Sequence, residues 1–347
     1  MLKTVTLGPL LATEAKGRSI VASVRTTLTD AAQRRIPCPA AYPANRGRSR
    51  GGARDGGAGL VNASALIAWF ETHARDLPWR DPATTPWGVL VSEVMLQQTP
   101  VQRVTGVWTD WMARWPQPSG LAAETPGTVV RAWGKLGYPR RALRLHAAAE
   151  VIAAQHGDVV PSDVDTLLAL PGIGAYTARA VAAFGYGRRV PVVDTNVRRV
   201  VARAVHGLAD AAAPAVSRDL ADVDAVLPDA QAARFSAALM ELGAVVCTAR
   251  QPHCVDCPLL ACCFWVRSGR PAATGPGRPA QRFAGTDRQV RGLLLDVLRG
   301  ATHPVPQARL DAVWVDVAQR HRCLDSLLVD GLVEQTVDGR FALPGEC

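Results

Sequence analysis

The stretch Cys247–Cys263, CTARQPHCVDCPLLACC, places four cysteines in the spacing C-x6-C-x2-C-x5-C. Four thiols so close together in the chain can hold one metal centre. Zinc fingers have two tight ligand pairs separated by a longer spacer, and bacterial ferredoxins have the spacing C-x2-C-x2-C-x3-C. The spacing therefore favours another kind of centre, with Cys247, Cys254, Cys257 and Cys263 as candidate ligands, and leaves zinc as a minor alternative.

Composition indicates a globular chain with room for two or three domains. It has 347 residues, of which 48% are hydrophobic, but no run of 18 apolar residues that could cross a membrane. Its eight cysteines are clustered rather than spread as a disulfide framework, and no signal peptide is evident. We therefore expect a reducing cytoplasm and no membrane association.

The net charge of +9 belongs mostly to the first 60 residues. Residues 1–60 hold ten Lys/Arg and three Asp/Glu, whereas the rest of the chain holds 29 and 27. The segment lacks periodicity and becomes rich in Arg and Gly, which predicts a disordered basic extension. An inert extension is favoured over an arm that follows DNA, and the overall charge is weak evidence for nucleic-acid binding.

Helical periodicity begins at Asn62 and continues to about Val266. Helices are predicted near residues 90–114, 126–133, 139–155, 163–170, 175–184, 195–205 and 231–245. The Pro/Gly-rich residues 267–284 predict a linker. Residues 285–347 predict a winged-helix-like domain, with a capping box at Thr286 and Gln289 and a hairpin turned by Asp338-Gly339. Domains of this kind often bind DNA, and the alternative is a module that packs against the rest of the protein or contacts another protein.

Three further segments carry polar or glycine residues suited to chemistry. Leu170–Gly174, LPGIG, predicts a tight turn before a helix, where the free N–H groups near Gly172 and Gly174 can bind a phosphate. Asp194 in VVDTNVRRV is placed to cap a helix. Glu93 in SEVMLQQT lies among apolar residues, and burial would raise its pKa towards that of a general acid.

As a set, these segments resemble the adenine DNA glycosylase family (the MutY family) of the endonuclease III superfamily. The motifs are LPWR, SEVMLQQT, GYPRR, LPGIG, VVDTNVRRV and the cysteine loop, and they cover about residues 62–266. The resemblance implies an all-α, two-domain helix-hairpin-helix DNA glycosylase fold with an iron–sulfur cluster loop. It also implies a [4Fe–4S] cluster on the four cysteines, with Cys262 as an alternative to Cys263.

The resemblance also implies a domain organisation. Residues 61–80 and 191–266 would form the cluster domain, and residues 81–190 would form a six-helix domain containing the helix-hairpin-helix. DNA would lie in the cleft between them, where Glu93 and Asp194 face each other. Many family members end in a Nudix-like domain that recognises 8-oxoguanine, and residues 285–347 depart from that pattern.

The implied reaction is removal of adenine mispaired with 8-oxoguanine or guanine in double-stranded DNA. Glu93 would protonate the base and Asp194 would stabilise the sugar cation, while Tyr176 and Asn196 line the site. Bifunctional relatives have a lysine at the position of Tyr176, so we expect no strand cleavage. The residues expected to enter the duplex around the mispair are Gln97, Gln98 and Tyr138.

Two other functions are compatible with parts of the sequence. A bifunctional pyrimidine glycosylase is disfavoured by Tyr176, and a non-catalytic iron–sulfur DNA-binding protein is disfavoured by the presence of both Glu93 and Asp194. The resemblance further implies a monomeric bacterial protein of the cytoplasm, associated with the nucleoid. The preference for the base opposite adenine does not follow from the sequence.

Overall fold

The computed structural model describes residues 61–273 and 283–347. The predicted basic extension, residues 1–60, lies outside the described residues, as does part of the predicted linker. In the described ranges the chain is helical apart from one short hairpin, which confirms the all-α prediction. None of the helices in these ranges is long and apolar enough to cross a membrane.

The helices follow one another with short connections. Residues 61–190 hold α1 (Ala63–His73), α2 (Pro86–Leu96), α3 (Val101–Arg114), α4 (Pro118–Ala122), α5 (Pro126–Trp133), α6 (Arg140–Gln155), α7 (Val164–Leu168) and α8 (Ala175–Tyr186). Residues 191–273 hold α9 (Thr195–Ala204), α10 (Val216–Asp224), α11 (Ala232–Val245) and α12 (Phe264–Arg267). Residues 283–347 hold α13 (Asp287–Arg299), α14 (Gln307–Asp311), α15 (Val317–Val329), β1 (Glu334–Gln335) and β2 (Phe341–Ala342).

Threonine caps followed by proline set where α2 and α5 begin. The side chains of Thr85 and Thr125 accept hydrogen bonds from the backbone N–H groups of Gly88 and Thr128. A proline follows each threonine, and it fits the first helical position because the N–H it lacks has no partner within the helix. The start of α2 matters most, because this helix carries Glu93.

The predicted helix over residues 90–114 is wrong in one respect, since it is two helices, α2 and α3. Pro100 disfavours helical conformation for the residue before it. Gln98 has a φ of +55°, in the left-handed region that ends a helix. Gln97 and Gln98 therefore lie in a loop after α2 and not on a helix face.

The first hydrophobic core lies among α2 to α8 and is rich in tryptophan. Trp87 and Trp108 are buried and donate their indole N–H groups to the carbonyl oxygens of Trp115 and Gly88, at 3.0 and 2.9 Å. Trp133 donates to the carbonyl oxygen of Gly137 at 2.9 Å. These bonds satisfy the polar edges of large apolar rings, and they fix the loop after α5.

The second core joins α1 to α9, α10 and α11, which follow more than 100 residues later in the chain. Leu66 and Phe70 of α1 pack there with Val200, Phe235 and Leu239. Leu77 and Trp79, just after α1, pack in the first core instead. The exact domain boundaries given above stay a prediction.

The third core belongs to the C-terminal, winged-helix-like domain. Its three helices are followed by the hairpin β1–β2, and Val305 forms an additional antiparallel bridge to Phe341. Gly339 has a φ of +79° in the turn between the strands. This arrangement agrees with the predicted winged-helix-like domain.

The capping box predicted at the start of α13 is wrong. Thr286 makes no side-chain capping bond to α13, because its hydroxyl donates to the carbonyl oxygen of Phe283 at 2.7 Å. Gln289 accepts a hydrogen bond from the N–H of Gly285 at 2.8 Å, one residue earlier than a capping box requires.

Candidate active site and cysteine loop

Glu93 lies in the most deeply buried helix of the first core. Nine consecutive residues of α2, from Trp87 to Met95, are buried, and Glu93 itself is only 6% exposed. The hydroxyl of Tyr176, the second residue of α8, lies beside the Glu93 carboxyl group and acts on its pKa. A carboxyl group with so little water around it strongly prefers its neutral form.

The surroundings of Glu93 bring its pKa close to neutrality. Burial raises the pKa of Glu93 to about 7, against the opposing effect of the nearby Tyr176 hydroxyl. The negative charge of Asp194 raises it further, and the positive charge of Arg80 lowers it. At neutral pH the group is therefore protonated in a large fraction of molecules and can act as a general acid.

Asp194 is held by hydrogen bonds at the start of α9. Its carboxylate accepts from the N–H of Val197 at 2.7 Å and from the side-chain amide of Asn196 at 2.9 Å. Burial raises the pKa of Asp194, while these bonds and the nearby Arg199 act to keep it ionised. Asp194 is thus both an ordinary helix cap and a negative charge beside Glu93.

A chain of hydrogen bonds leads from Asp194 to the cysteine loop. Arg199 donates to the side-chain oxygen of Asn196 at 2.7 Å, and also to the carbonyl oxygens of Cys247 at 2.7 Å and Gly243 at 2.6 Å. The helices that carry these groups touch, because a side chain at Gly243 would meet Asn196 at 2.7 Å. Asn196, which is predicted to line the site, is therefore held by Asp194 through its amide nitrogen and by Arg199 through its amide oxygen.

The buried carboxylate of Glu241 pairs with two arginines, and these ion pairs were not predicted. Glu241 of α11 is fully buried and accepts hydrogen bonds from Arg75 and Arg80, at distances of 2.7 and 2.8 Å. Although burial opposes ionisation, these bonds lower the pKa of Glu241 to about 2. Arg80 belongs to the LPWR motif and could therefore be noticed in the sequence, whereas no motif marks its partner Glu241.

The turn between α7 and α8 has the conformation that its glycines predict. Gly172 has a φ of +73°. A Cβ atom added at this position would lie only 2.5 Å from the Cβ atom of Arg144 and would collide with it. Gly174 caps α8 without any side-chain hydrogen bond. The first N–H groups of α8 therefore lack an intrahelical partner, as at any helix start, and Tyr176 follows within the first turn.

The predicted intercalating residues Gln97, Gln98 and Tyr138 come from two loops that one buried side chain joins. Arg141 donates to the carbonyl oxygens of Gln97 and Gly137, at 2.7 and 2.9 Å. Gln98 is exposed, and Tyr138 is 42% exposed with a φ of +48°. Arg141, the second arginine of GYPRR, belongs to a local basic cluster that the sequence suggested as a DNA surface, but its side chain is buried and bonds to backbone carbonyl oxygens instead.

The four predicted cysteine ligands line one narrow cavity. Cys247, Cys254, Cys257 and Cys263 face it together with Trp265, and Cys262 does not line it. Burial raises the pKa of Cys257 to about 12, with the neighbouring thiols adding to the effect. Thiols so crowded favour a cationic group that can replace their protons.

The four thiols are a donor set of the kind that iron–sulfur clusters use. No three Cys, His, Asp or Glu side chains in the described ranges converge closely enough to hold one metal ion. Zinc needs its ligands around one centre, whereas a four-iron cluster accepts one thiolate on each of its irons. A donor set of four cysteines therefore fits a [4Fe–4S] cluster.

Comparison with known proteins agrees with this geometry. Residues 91–223 match the model of the HhH-GPD superfamily base excision DNA repair protein. The adenine DNA glycosylase of Mycobacterium tuberculosis (strain H37Rv) is 62% identical over 288 residues, which are 82% of this chain and 94% of that protein. This chain belongs to the adenine DNA glycosylase family. It is thus a base-excision repair enzyme.

Other members of the family are similar over shorter or equal spans. The adenine DNA glycosylase of Mycolicibacterium smegmatis is 66% identical over 82% of this chain and 97% of that protein. The human adenine DNA glycosylase is 39% identical over 57% of this chain and 38% of that protein. The family generally carries a [4Fe–4S] cluster.

Solved structures share the fold. A thermostable thymine-DNA glycosylase has a TM-score of 0.53 and 24% identity, covering 59% of this chain and 95% of that one. A non-covalent endonuclease III–DNA complex has a TM-score of 0.51 and 21% identity, covering 60% of this chain and 95% of the other. These likenesses establish the helix-hairpin-helix glycosylase fold.

Proposed function

We propose that this glycosylase hydrolyses the N-glycosidic bond of adenine mispaired with 8-oxoguanine or guanine in double-stranded DNA. The observation that carries the proposal is the pair of neighbouring carboxyl groups, the buried Glu93 and the half-buried Asp194, in unlike surroundings. Relatives named adenine DNA glycosylase support the choice of base. Carboxyl pairs of this kind cleave glycosidic bonds when one is protonated and the other ionised.

The adenine must first leave the base stack, at a cost of roughly a few kcal/mol that is smaller for a mispair. We assign Gln97, Gln98 and Tyr138 to the space opened in the duplex. Their exposure and the left-handed conformations of Gln98 and Tyr138 support this role. An exposed aromatic ring can stack on a neighbouring base and hold the strands apart.

Glu93 then acts as the general acid. Protonation of adenine N7 turns the base into a good leaving group and lets the sugar become cationic at C1′. The pKa of Glu93, raised by burial to about 7, suits a proton donor at neutral pH. The hydroxyl of Tyr176 lies beside this carboxyl group.

Asp194 stabilises the sugar cation, or traps it covalently, before water attacks C1′. Its two hydrogen bonds hold the carboxylate in one orientation. A preorganised negative charge costs no rearrangement when the cation develops. Asn196 serves as a positioning residue for Asp194, and Arg199 holds Asn196 in turn.

The enzyme is proposed to be monofunctional. A strand-cleaving glycosylase uses an amine to form a Schiff base with the sugar, and Tyr176 supplies a hydroxyl at that position. Its pKa is raised well above the usual range by burial, so the hydroxyl stays protonated. The start of α8 near Gly172 and Gly174 is assigned to a DNA phosphate, which it binds without sequence preference.

The cysteine loop is assigned a [4Fe–4S] cluster held by Cys247, Cys254, Cys257 and Cys263. When bound, the cluster would supply a structural cross-link between the four cysteines of the loop. Arg203 donates to the carbonyl oxygens of Thr248 and Ala249 and lies over the ring of Trp265, which steadies the loop from outside. We further propose a monomer that works in the bacterial cytoplasm, on the nucleoid.

Single-turnover reactions on duplexes with A·8-oxoguanine, A·G and A·T pairs test the function. Strand breaks that appear only after hot alkali, and only with the mispairs, are the expected result. Breaks without alkali, together with an adduct trapped by borohydride, would contradict the monofunctional assignment. No alkali-labile sites in any duplex would contradict the proposed substrate.

A further inference from the structure

The C-terminal domain packs against the helices that flank Tyr138. Val130 of α5 is buried in the C-terminal core. The N–H of Gly127 donates to the carbonyl oxygen of Pro344 at 2.7 Å, and Arg131 pairs with Glu346 at 2.6 Å. This contact combines apolar burial with backbone and charged hydrogen bonds, so it holds the domain in a defined position.

Two ion pairs bracket the loop that carries Tyr138. Lys135, before the loop, pairs with Asp296 at 3.3 Å, and Arg140, after it, pairs with Asp330 at 3.1 Å. Both carboxylates belong to the C-terminal domain. Exposed pairs such as these contribute little stability, but they show that this domain lies on either side of the loop.

Between these pairs, Arg288 of α13 contacts Tyr138 itself. The guanidinium donates to the Tyr138 hydroxyl at 3.1 Å and lies 5.8 Å from the centre of its ring. Arg141, from the domain of Tyr138, lies 5.6 Å from the same ring. Two cations from different domains therefore hold one exposed aromatic side chain.

The charge of the C-terminal domain argues against a phosphate-binding role of its own. Residues 285–347 contain seven arginines and nine Asp/Glu residues. Five of the arginines pair with carboxylates of the same domain: Arg291 with Asp330, Arg299 with Asp296, Arg320 with Asp311, Arg322 with Asp287 and Arg340 with Asp338. A domain that binds DNA through phosphates needs an excess of cations.

We propose that the C-terminal domain takes part in mispair recognition through Arg288, a positioning residue that fixes Tyr138 for entry into the duplex. This inference rests on the proposed function, which assigns Tyr138 to the opened mispair. An exposed aromatic ring has several rotamers in water, and ordering it on binding costs free energy. Contacts that order it beforehand reduce this cost and tighten the complex.

The test compares Arg288→Ala, Arg288→Lys and the control Arg322→Ala in the full chain. Arg288 and Arg322 are exposed, so the variants should fold. Arg288→Ala should weaken binding of an A·8-oxoguanine duplex about tenfold, the loss of one hydrogen bond and one cation–π contact. Arg288→Lys should restore most of the affinity, and Arg322→Ala should change it less than about twofold.

A double-mutant cycle with Tyr138→Ala decides whether Arg288 acts through Tyr138. In the Tyr138→Ala background, Arg288→Ala should change the affinity less than about twofold. The salt dependence of binding should also be unchanged, whereas loss of a phosphate contact would lower its slope by about one. An undiminished effect in that background, or a lower slope, would overturn the proposal.

The same experiment separates this proposal from the proposed function. If the parent protein releases adenine but Tyr138→Ala binds the mispair normally, the role of Tyr138 fails and the inference with it. If the parent protein releases no adenine from either mispair, the proposed function itself fails. An affinity loss that depends on Tyr138, with adenine release by the parent protein, supports both.

Discussion

The hydroxyl of Tyr176 lies beside the carboxyl group of Glu93 and lowers its pKa. This contact connects the helix that follows the Gly172–Gly174 turn to the buried helix α2. Because Tyr176 stands where bifunctional relatives have a lysine, one substitution both removes the Schiff-base amine and adds a partner to the acid. The turn that is assigned to DNA thereby also influences the proton donor.

The single-turnover rate of adenine release should fall as the pH rises through about 7. Burial raises the pKa of Glu93 to about 7, and only the protonated carboxyl group can donate. On the acid side the rate should fall as Asp194, whose pKa burial also raises, becomes protonated. The check is a rate profile from about pH 5 to 9, and a rate that stays flat above neutrality would contradict it.

Tyr176→Phe should move the alkaline limb of that profile to higher pH. The Tyr176 hydroxyl lowers the pKa of Glu93, so its removal leaves the acid protonated over a wider range. Tyr186→Phe is the matched control, because the Tyr186 hydroxyl of the same helix donates to the carbonyl oxygen of Val160. Identical limbs in the Tyr176→Phe variant and the parent protein would contradict the assignment.

Glu93→Gln should stabilise the fold at alkaline pH while it removes activity. The pKa of Glu93 lies above its ordinary value of 4.5, so the native state binds the proton more tightly than the unfolded state. The native state then loses stability relative to the unfolded state between pH 4.5 and about 7. At pH 8 the loss is on the order of 3 kcal/mol.

Denaturant unfolding of the parent protein and of Glu93→Gln at pH 5 and pH 8 checks this difference. The stabilisation by the amide should be larger at pH 8. Asp110→Asn, which alters an exposed carboxyl group on α3, should show no such difference. Equal effects of Glu93→Gln at both pH values would show that the native state does not raise the pKa of Glu93.

Cys263→Ser should abolish the visible absorbance of the purified protein, and Cys262→Ser should retain it. Cys263 is buried and faces the cavity with the other three thiols, whereas Cys262 does not line that cavity. Iron and sulfide analysis of both variants provides the measurement. The opposite result would assign the fourth thiolate to Cys262.

Much of the site could be predicted because its residues sit at local signals. Asp194 precedes a helix as a cap, Gly172 and Gly174 mark a tight turn, and the cysteines are close together in the chain. Helix starts at threonine–proline pairs are equally local. The sequence patterns of these elements depend on a few neighbouring residues, so one sequence suffices to find them.

Other features depend on contacts between distant segments, which no local pattern encodes. Glu241 lies 166 residues from Arg75 in the chain, and their pairing exists only in the folded state. Arg141 joins two loops in the same way. The helix α10 was missed because it is only nine residues long and, among them, only Val223 is buried. The contact of Arg288 with Tyr138 likewise required the docked C-terminal domain.

The most direct test of the central claim is adenine release by Glu93→Gln under single-turnover conditions, measured beside its affinity for the mispair. Glutamine keeps the shape of the side chain but has no proton to donate to N7. The account predicts a rate at least about 100-fold lower, with mispair affinity close to that of the parent protein. A near-normal rate would show that another group is the acid.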